Sequence, residues 1–152
     1  MSERYGGYGA NSDVDSGVEE PTGEAADWYR QGVQLLEDGN PTAAAQLLTR
    51  VAQKTPDYQP VLEALARAHF DGGHYEEAVD SFAALARVSP DDDYAQFGWG
   101  LAAAKLDQMD VAVEHLSAAA AMRPEIRHYA NALRAARSTL REQSGKRGLA
   151  DE

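Results

Sequence analysis

The sequence predicts an all-α protein, a right-handed α-solenoid of three helix-turn-helix repeats with a seventh, capping helix. The first observation is a proline that recurs every 34 residues, at Pro56, Pro90 and Pro124. The second is that an alanine column, a small-residue column and a large apolar column keep the same step: Ala44, Ala78 and Ala112; Gly32, Ala66 and Gly100; Leu48, Phe82 and Leu116. A fixed period of this length indicates one supersecondary unit that is copied and stacked.

Apolar residues at three- and four-residue spacing predict three pairs of helices, at about 25–38 and 41–54, 59–71 and 75–88, and 93–106 and 109–122. Gly39-Asn40 and Gly72-Gly73 supply positive-φ residues between the helices of the first two pairs. Each recurring proline ends a second helix, because a proline ring disfavours helix in the residue before it. Asp91-Asp92-Asp93 places carboxylates where the third pair begins, and there they complement the helix dipole.

The chain is expected to contain a tail, one repeat domain and a short flexible end. Residues 1–24 are acidic and glycine-rich, and apart from Tyr5, Tyr8 and two valines they offer little to bury, so we predict a disordered tail. It is either a solubilising leader or a tethered ligand for its own groove or a partner's. The repeat domain is predicted over 25–142, with repeats at about 25–58, 59–92 and 93–126, a capping helix at about 125–142, and flexible residues at 143–152.

The composition excludes several classes of function. The net charge is −11, and an acidic body repels phosphate, so neither nucleic acid nor an anionic membrane is an expected partner. The sequence has no cysteine, which excludes disulfides and thiolate sites. It lacks an apolar run of the ~20 residues that a membrane span needs. The polar, glycine-rich start does not resemble a signal peptide, so we expect a cytoplasmic protein. Arginine outnumbers lysine 11 to 3, a bias common in high-GC bacteria.

The three units resemble tetratricopeptide repeats, whose signature is Trp-x2-Leu-Gly-x2-Tyr, then Ala-x3-Phe, then Pro. The matching positions are Trp28, Gln31, Gly32, Leu35, Ala44, Leu48 and Pro56; then Leu62, Leu65, Ala66, His69, Ala78, Phe82 and Pro90; then Gln96, Trp99, Gly100, Ala103, Ala112, Leu116 and Pro124. The third unit departs most, because Gln96 replaces a large apolar residue and Ala103 an aromatic one. Its first helix is expected to pack more loosely, with Phe97 and Trp99 compensating.

The resemblance implies a concave groove, lined by the first helices, that holds an extended peptide or a partner's helix. The groove residues would be Tyr29, Arg30, Val33, Glu63, Arg67, Phe70, Tyr94, Phe97, Leu101, His128 and Asn131. Aromatic rings and arginines favour a peptide with apolar and acidic side chains. The alternative is that these are packing residues and that contacts lie elsewhere. Tyr29 and Val33 occupy positions of the family's basic carboxylate clamp, so a chaperone-tail adaptor is not expected.

The last predicted helix carries Arg134, Arg137 and Arg141 on one face. They are either ordinary cations near a helix C-terminus, where the dipole favours them, or a basic patch that docks an acidic partner or the protein's own tail.

No catalytic or metal chemistry is predicted. The sequence lacks the Gly-x-x-x-x-Gly-Lys-Ser/Thr and Gly-x-Ser-x-Gly motifs, and no cofactor is expected. His69 is interpreted as a core residue, and His74 beside acidic residues is at best a weak metal site. The leading hypothesis is a non-catalytic adaptor or scaffold whose partner is another protein. The alternatives are a structural subunit of a homo-oligomer or larger complex, and a regulatory accessory to a neighbouring enzyme.

Overall fold

The computed structural model describes residues 19–150, and across that range all regular secondary structure is α-helical. The helices are α1 Gly23–Glu37, α2 Pro41–Lys54, α3 Gln59–Asp71, α4 Tyr75–Val88, α5 Asp93–Lys105, α6 Met109–Met122 and α7 Arg127–Ala150. The predicted all-α architecture is therefore confirmed. The predicted tail, with Tyr5 and Tyr8, lies mostly outside the described residues, and α1 begins at Gly23, inside the stretch assigned to that tail.

Each helix packs against the next one in the chain, so the helices form a linear stack. The first helices of successive pairs, α1, α3, α5 and finally α7, also contact one another, whereas the described second helices do not contact each other to a similar extent. The first helices are thus closer together and form the inner, concave side of the stack.

The recurring small residues permit close approach inside a pair. A Cβ atom added to Gly32 would lie 2.7 Å from Leu48 Cγ, and one added to Gly100 would lie 2.6 Å from Leu116 Cγ. Ala66 is fully buried in the same cluster as Phe82. The small column of the first helices therefore packs against the large apolar column of the second helices.

The turns inside the pairs use one positive-φ residue each. Gly39 (φ 84°) and Gly73 (φ 77°) fill that position in the first two pairs, as predicted, while their neighbours Asn40 and Gly72 have negative φ. In the third pair Asp107 takes the same conformation with φ 59°. Asp92 caps α5, because its Oδ1 accepts a hydrogen bond of 3.1 Å from the Ala95 amide.

Helix α7 is longer than the sequence indicated. It continues to Ala150, so residues 143–150 are helical and not a separate end. No proline stops it, and Gly145 and Gly148 cost roughly 1 kcal/mol each relative to alanine without breaking a helix. Gln143 Nε2 also donates to Asp107 Oδ1 at 2.8 Å, which ties this part of the helix to the third pair.

The first helix of the third repeat is not loosely packed. Ala103 is fully buried, and Phe97 is 4% exposed, which compensates as expected. Gln96, placed where a large apolar residue usually sits, shares a 2.8 Å hydrogen bond with His115 Nδ1. The Trp99 ring stacks on the His115 ring with centroids 3.6 Å apart. A polar pair under a stacked ring thus replaces the apolar contact.

Candidate binding groove

The concave side has an open pocket of about 630 Å³ at its amino-terminal end. One wall is a face of α1, whose residues recur at one-turn spacing: Ala26, Tyr29, Arg30, Val33, Gln34 and Glu37. Tyr58, which precedes α3, and the Glu20-Pro21 segment before α1 form the rest of the wall. The structure therefore brings together the first three predicted groove residues, Tyr29, Arg30 and Val33.

Two buried tyrosines, Tyr29 and Tyr58, line this pocket together with the exposed carboxylates of Glu20 and Glu37. Burial raises the pKa of Tyr29 well above its usual value, and the charges of Tyr58 and Glu63 add to the effect. Burial also raises the pKa of Tyr58, as does the Glu20 carboxylate, which accepts a hydrogen bond from the Tyr58 hydroxyl. Both phenols therefore remain neutral hydrogen-bond donors at neutral pH. Glu63 is 8% exposed, so its carboxylate acts on Tyr29 from inside the protein and is not presented to solvent.

The two groove arginines already have acidic partners. Arg30 forms an exposed ion pair with Asp27 on the same helix. Arg67 Nε donates to Asp71 Oδ2 at 3.1 Å. Any acidic ligand must compete with these aspartates, so the arginines supply less free positive charge than their sequence positions suggest.

Farther along the groove the predicted residues are partly closed by aromatic contacts. The Phe97 ring stacks on Tyr129 with centroids 4.5 Å apart and meets His128 edge-on at 5.2 Å. Leu101 is half-buried, while His128 and Asn131 are exposed. This end therefore offers a polar rim above a buried stack.

Two aromatic residues of the predicted groove pack against neighbouring rings. Phe70 is half-buried and meets the Tyr75 ring edge-on at 5.4 Å. Tyr94 is 1% exposed and packs edge-on against Phe82, with ring centroids 5.7 Å apart. Tyr94 thus belongs to the core, because the ring of the preceding pair covers it, and a ligand would meet its neighbours instead.

The predicted basic patch lies in the middle of α7. Arg134 donates a 2.6 Å hydrogen bond to Asn131 Oδ1, and Arg134, Arg137 and Arg141 are all exposed. Because the helix continues to Ala150, these residues are several turns from its end. The dipole effect is confined to about the last turn, so it does not explain their position.

Several pocket residues were not predicted. Ala26, Gln34 and Glu37 share the face of Tyr29 and Arg30, and the three- and four-residue spacing on α1 could have identified them. Glu20 and Pro21 gave no such signal, since they lie outside any periodic segment, and Tyr58 becomes part of the site only through folding.

The histidines do not form a metal centre. The described residues contain no group of three or more histidine, cysteine or acidic residues arranged to hold a metal ion. His69 lies beside a smaller cavity of about 310 Å³ together with Thr42, His74 and Glu77. Its Nδ1 is buried without a hydrogen-bond partner, and burial lowers its pKa. It behaves as a half-buried core histidine.

None of the described helices combines the length and apolar character of a membrane span.

Helix pairs stacked one on the next define a helical-repeat protein. The family model for the tetratricopeptide repeat matches residues 35–104, from the end of α1 through most of α5. Over this segment the chain is built of tetratricopeptide repeats, and the seven helices of the described residues fit that repeat. No curated protein matches the sequence significantly.

Several solved tetratricopeptide structures have a similar fold. The first such domain of Spaghetti (RPAP3), bound to the HSP90 peptide SRMEEVD, is 17% identical, with a TM-score of 0.71 over 77% of this chain and 93% of that one. The Sgt2 domain from Aspergillus fumigatus is 19% identical, with a TM-score of 0.72 over 82% and 83%. MamA MSR-1 is 20% identical, with a TM-score of 0.72 over 78% and 68%. At these identities the likeness establishes the fold alone.

Proposed function

We propose that this protein is a non-catalytic interaction module that binds an extended peptide or a partner's helix along its concave face. The observation that carries the proposal is the open pocket of about 630 Å³ at the start of that face, lined by Tyr29, Arg30 and Val33. Repeat stacks offer extended concave surfaces of this kind for binding. The expected partner is another protein, and the protein acts as an adaptor or scaffold.

The chemistry of the pocket favours a ligand with aromatic or aliphatic side chains and a few polar tips. Tyrosine rings provide rigid contact area at low entropy cost, and their neutral hydroxyls donate hydrogen bonds. Arg30 is paired with Asp27, so an acidic side chain would gain only by displacing that aspartate. Apolar contact is therefore expected to supply most of the affinity, and charge to tune it.

A ligand of the HSP90-peptide type is not the expected partner. The similar structure of Spaghetti (RPAP3) holds the acidic peptide SRMEEVD. In this chain the corresponding first-repeat clamp positions carry Tyr29 and Val33 instead of basic and amide side chains. Glu20, Glu37 and Glu63 further lower the potential at that end of the groove.

The proposal is tested with groove variants as bait. Arg30→Ala, Arg67→Ala and Leu101→Ala each remove a side chain that reaches the surface of a successive first helix. Phe97 is unsuitable, because it is buried against Tyr129 and its loss would unfold the cap. Proteins captured from the native cytosol by the wild-type chain are identified by mass spectrometry. Each variant should then weaken the binding of the captured partner by roughly 1–2 kcal/mol, which raises Kd about 5- to 30-fold.

Arg87→Ala provides the matched control. Like Arg30, Arg87 is an exposed arginine that forms an ion pair with an aspartate, in this case Asp57 at 3.1 Å. Arg87 lies on α4, the second helix of its pair, and so outside the groove. It should leave affinity unchanged. If a triple variant of the groove binds the captured partner as tightly as the wild type, with native circular dichroism, binding resides on the convex face or the termini and the proposal is wrong.

A further inference from the structure

We infer that the pocket at the amino-terminal end of the groove binds residues 1–18 of the same chain, with Tyr5 or Tyr8 as the inserted side chain. The inference rests on the proposed function, because it takes the concave face to be a peptide-binding face. It adds an occupant that competes with outside ligands, so that a partner must displace part of the chain itself.

The described chain begins at the wall of this pocket. Glu20 and Pro21 line it, and Glu20 accepts a hydrogen bond from Tyr58, which is 6% exposed at the junction of α2 and α3. The residues that precede Glu19 therefore start next to the open volume and not at the far end of the stack.

Local backbone geometry places the segment there. Thr22 is extended, with φ −130° and ψ 161°, and Gly23 follows in the left-handed region with φ 56°. A residue with a side chain is strained in that region, so glycine favours the turn. After the turn α1 begins, and Glu20 and Pro21 line the same pocket as Tyr29 and Val33 of that helix.

The tether is long enough to reach any part of the pocket. Tyr8 and Tyr5 precede Glu19 by 11 and 14 residues. A glycine-rich chain of that length spans about 17–22 Å on average. The pocket face of α1, from Ala26 to Glu37, is about 16 Å long at 1.5 Å per residue. A tether of this kind gives an effective concentration on the order of millimolar, so even a weak contact would be populated.

The pocket suits a phenol more than a carboxylate. Tyr29, Val33 and Pro21 offer apolar contact, and Gln34 offers a polar group for a hydroxyl. Glu20 and Glu37 at the rim repel acids, and Arg30 is already paired with Asp27. Residues 1–18 contain three acids but no aromatic residues other than Tyr5 and Tyr8, so those two rings are the expected anchors.

The first test compares amide chemical shifts of the full chain with those of the Tyr5→Ser/Tyr8→Ser variant. Shifts should differ at Ala26, Val33 and Gln34, and tenfold dilution should not alter the difference. Asp13→Asn/Asp15→Asn is the control, and it should leave these amides at their wild-type positions. Coinciding spectra for wild type and the tyrosine variant would overturn the inference, as would an equal change in the control. A dilution-dependent difference would mean that a second copy supplies the segment, and would overturn it too.

The second test uses a synthetic peptide of residues 1–18 as the probe. It should bind the tyrosine variant and shift the same amides. Its affinity for the wild-type chain should be at least about fivefold lower, because the tethered segment leaves only a fraction of the pockets free. Equal affinity for both chains, or no binding to the variant, would refute the inference.

The two proposals fail separately. If the tail tests fail while Arg30→Ala still weakens the captured partner, only the inference is lost. If the tail binds but groove variants leave the partner's affinity unchanged, only the proposed function is lost.

Discussion

Gly98 controls the packing between the second and third repeats. It lies on α5, and a Cβ atom added there would come closer than 3.0 Å to three ring atoms of Phe82 on α4. Phe82 is 1% exposed, and its ring is held edge-on by Tyr94 at 5.7 Å. Because the ring is almost completely buried, Gly98→Ala is expected to push the two helices apart or force Phe82 from its rotamer.

Two opposing effects set the size of the change. Alanine favours a helix interior over glycine by about 0.5–1 kcal/mol. Overpacking a closed core costs typically 1–3 kcal/mol. Since the added atom would overlap a rigid ring and not the end of a flexible side chain, the cost should lie in the upper part of that range. The net loss in free energy of unfolding is therefore expected to be about 1–2 kcal/mol, or about 3–6 °C in Tm for a chain of this size.

Urea denaturation followed by circular dichroism measures this difference, with Gly145→Ala as the matched control. Gly145 is also helical, but an added Cβ atom would meet nothing within 4 Å. The same substitution should therefore stabilise the protein by up to about 1 kcal/mol there. If Gly98→Ala is as stable as the wild type, or is stabilised like Gly145→Ala, then α5 does not press on Phe82 and the reasoning about this interface is wrong.

Tyr129→Phe removes the 2.6 Å hydrogen bond from the Tyr129 hydroxyl to Asp93 Oδ2 and should lower the free energy of unfolding by about 1–2 kcal/mol. An unchanged urea midpoint would contradict a stabilising role for that bond. Acidification should also destabilise the fold, because burial lowers the pKa of His69 despite the opposing charges of Glu77 and Asp80. The unfolded chain then binds more protons than the folded one, so this contribution is complete above pH ~6.5 and is lost as pH falls through the folded pKa. Between about pH 7.5 and 5.5, the Tm of His69→Gln should fall less than that of the wild type. Equal decreases would refute a contribution of His69 to the acid destabilisation.

The boundaries of most helices could be predicted from the sequence because they depend on local chemistry. Pro56 and its equivalents prevent the second helices from continuing, and Gly39 and Gly73 adopt the positive φ that a short turn requires. The end of α7 could not be predicted in this way. No proline precedes Ala150, but Gly145 and Gly148 could have ended the helix and instead remain helical. The bond between Gln143 and Asp107 holds this part of α7 against the third pair.

The contacts inside a repeat could be predicted, but those between repeats could not. Gly32 and Gly100 occupy one column and meet Leu48 and Leu116 of the same pair, so this contact repeats with the period of the sequence. Gly98 lies outside that column, and its contact with Phe82 depends on how one pair is rotated against the next. That rotation results from the combined packing of α4 and α5, which no single position encodes.

The groove shows the same division between local pattern and packing. Spacing on α1 identified the face that carries Tyr29 and Arg30. Tyr94 lies two periods of 34 residues after Ala26, which lines that face of α1, yet Phe82 covers Tyr94, because burial depends on the side chains that the preceding repeat contributes. The contact between Glu20 and Tyr58 joins two segments without any periodic pattern, so only the folded chain reveals it.

These differences make the two ends of the groove chemically unequal. At the amino-terminal end Tyr29, Val33 and Tyr58 surround an open volume, whereas at the other end Phe97 is closed under Tyr129 and only a polar rim remains. A ligand gains most where it displaces water from apolar surface. Binding should therefore be anchored beside α1, and Arg30→Ala should weaken the partner more than Leu101→Ala. Equal effects from the two variants would mean that the ligand binds along the whole groove and that the open pocket contributes no more to the binding free energy than the other end.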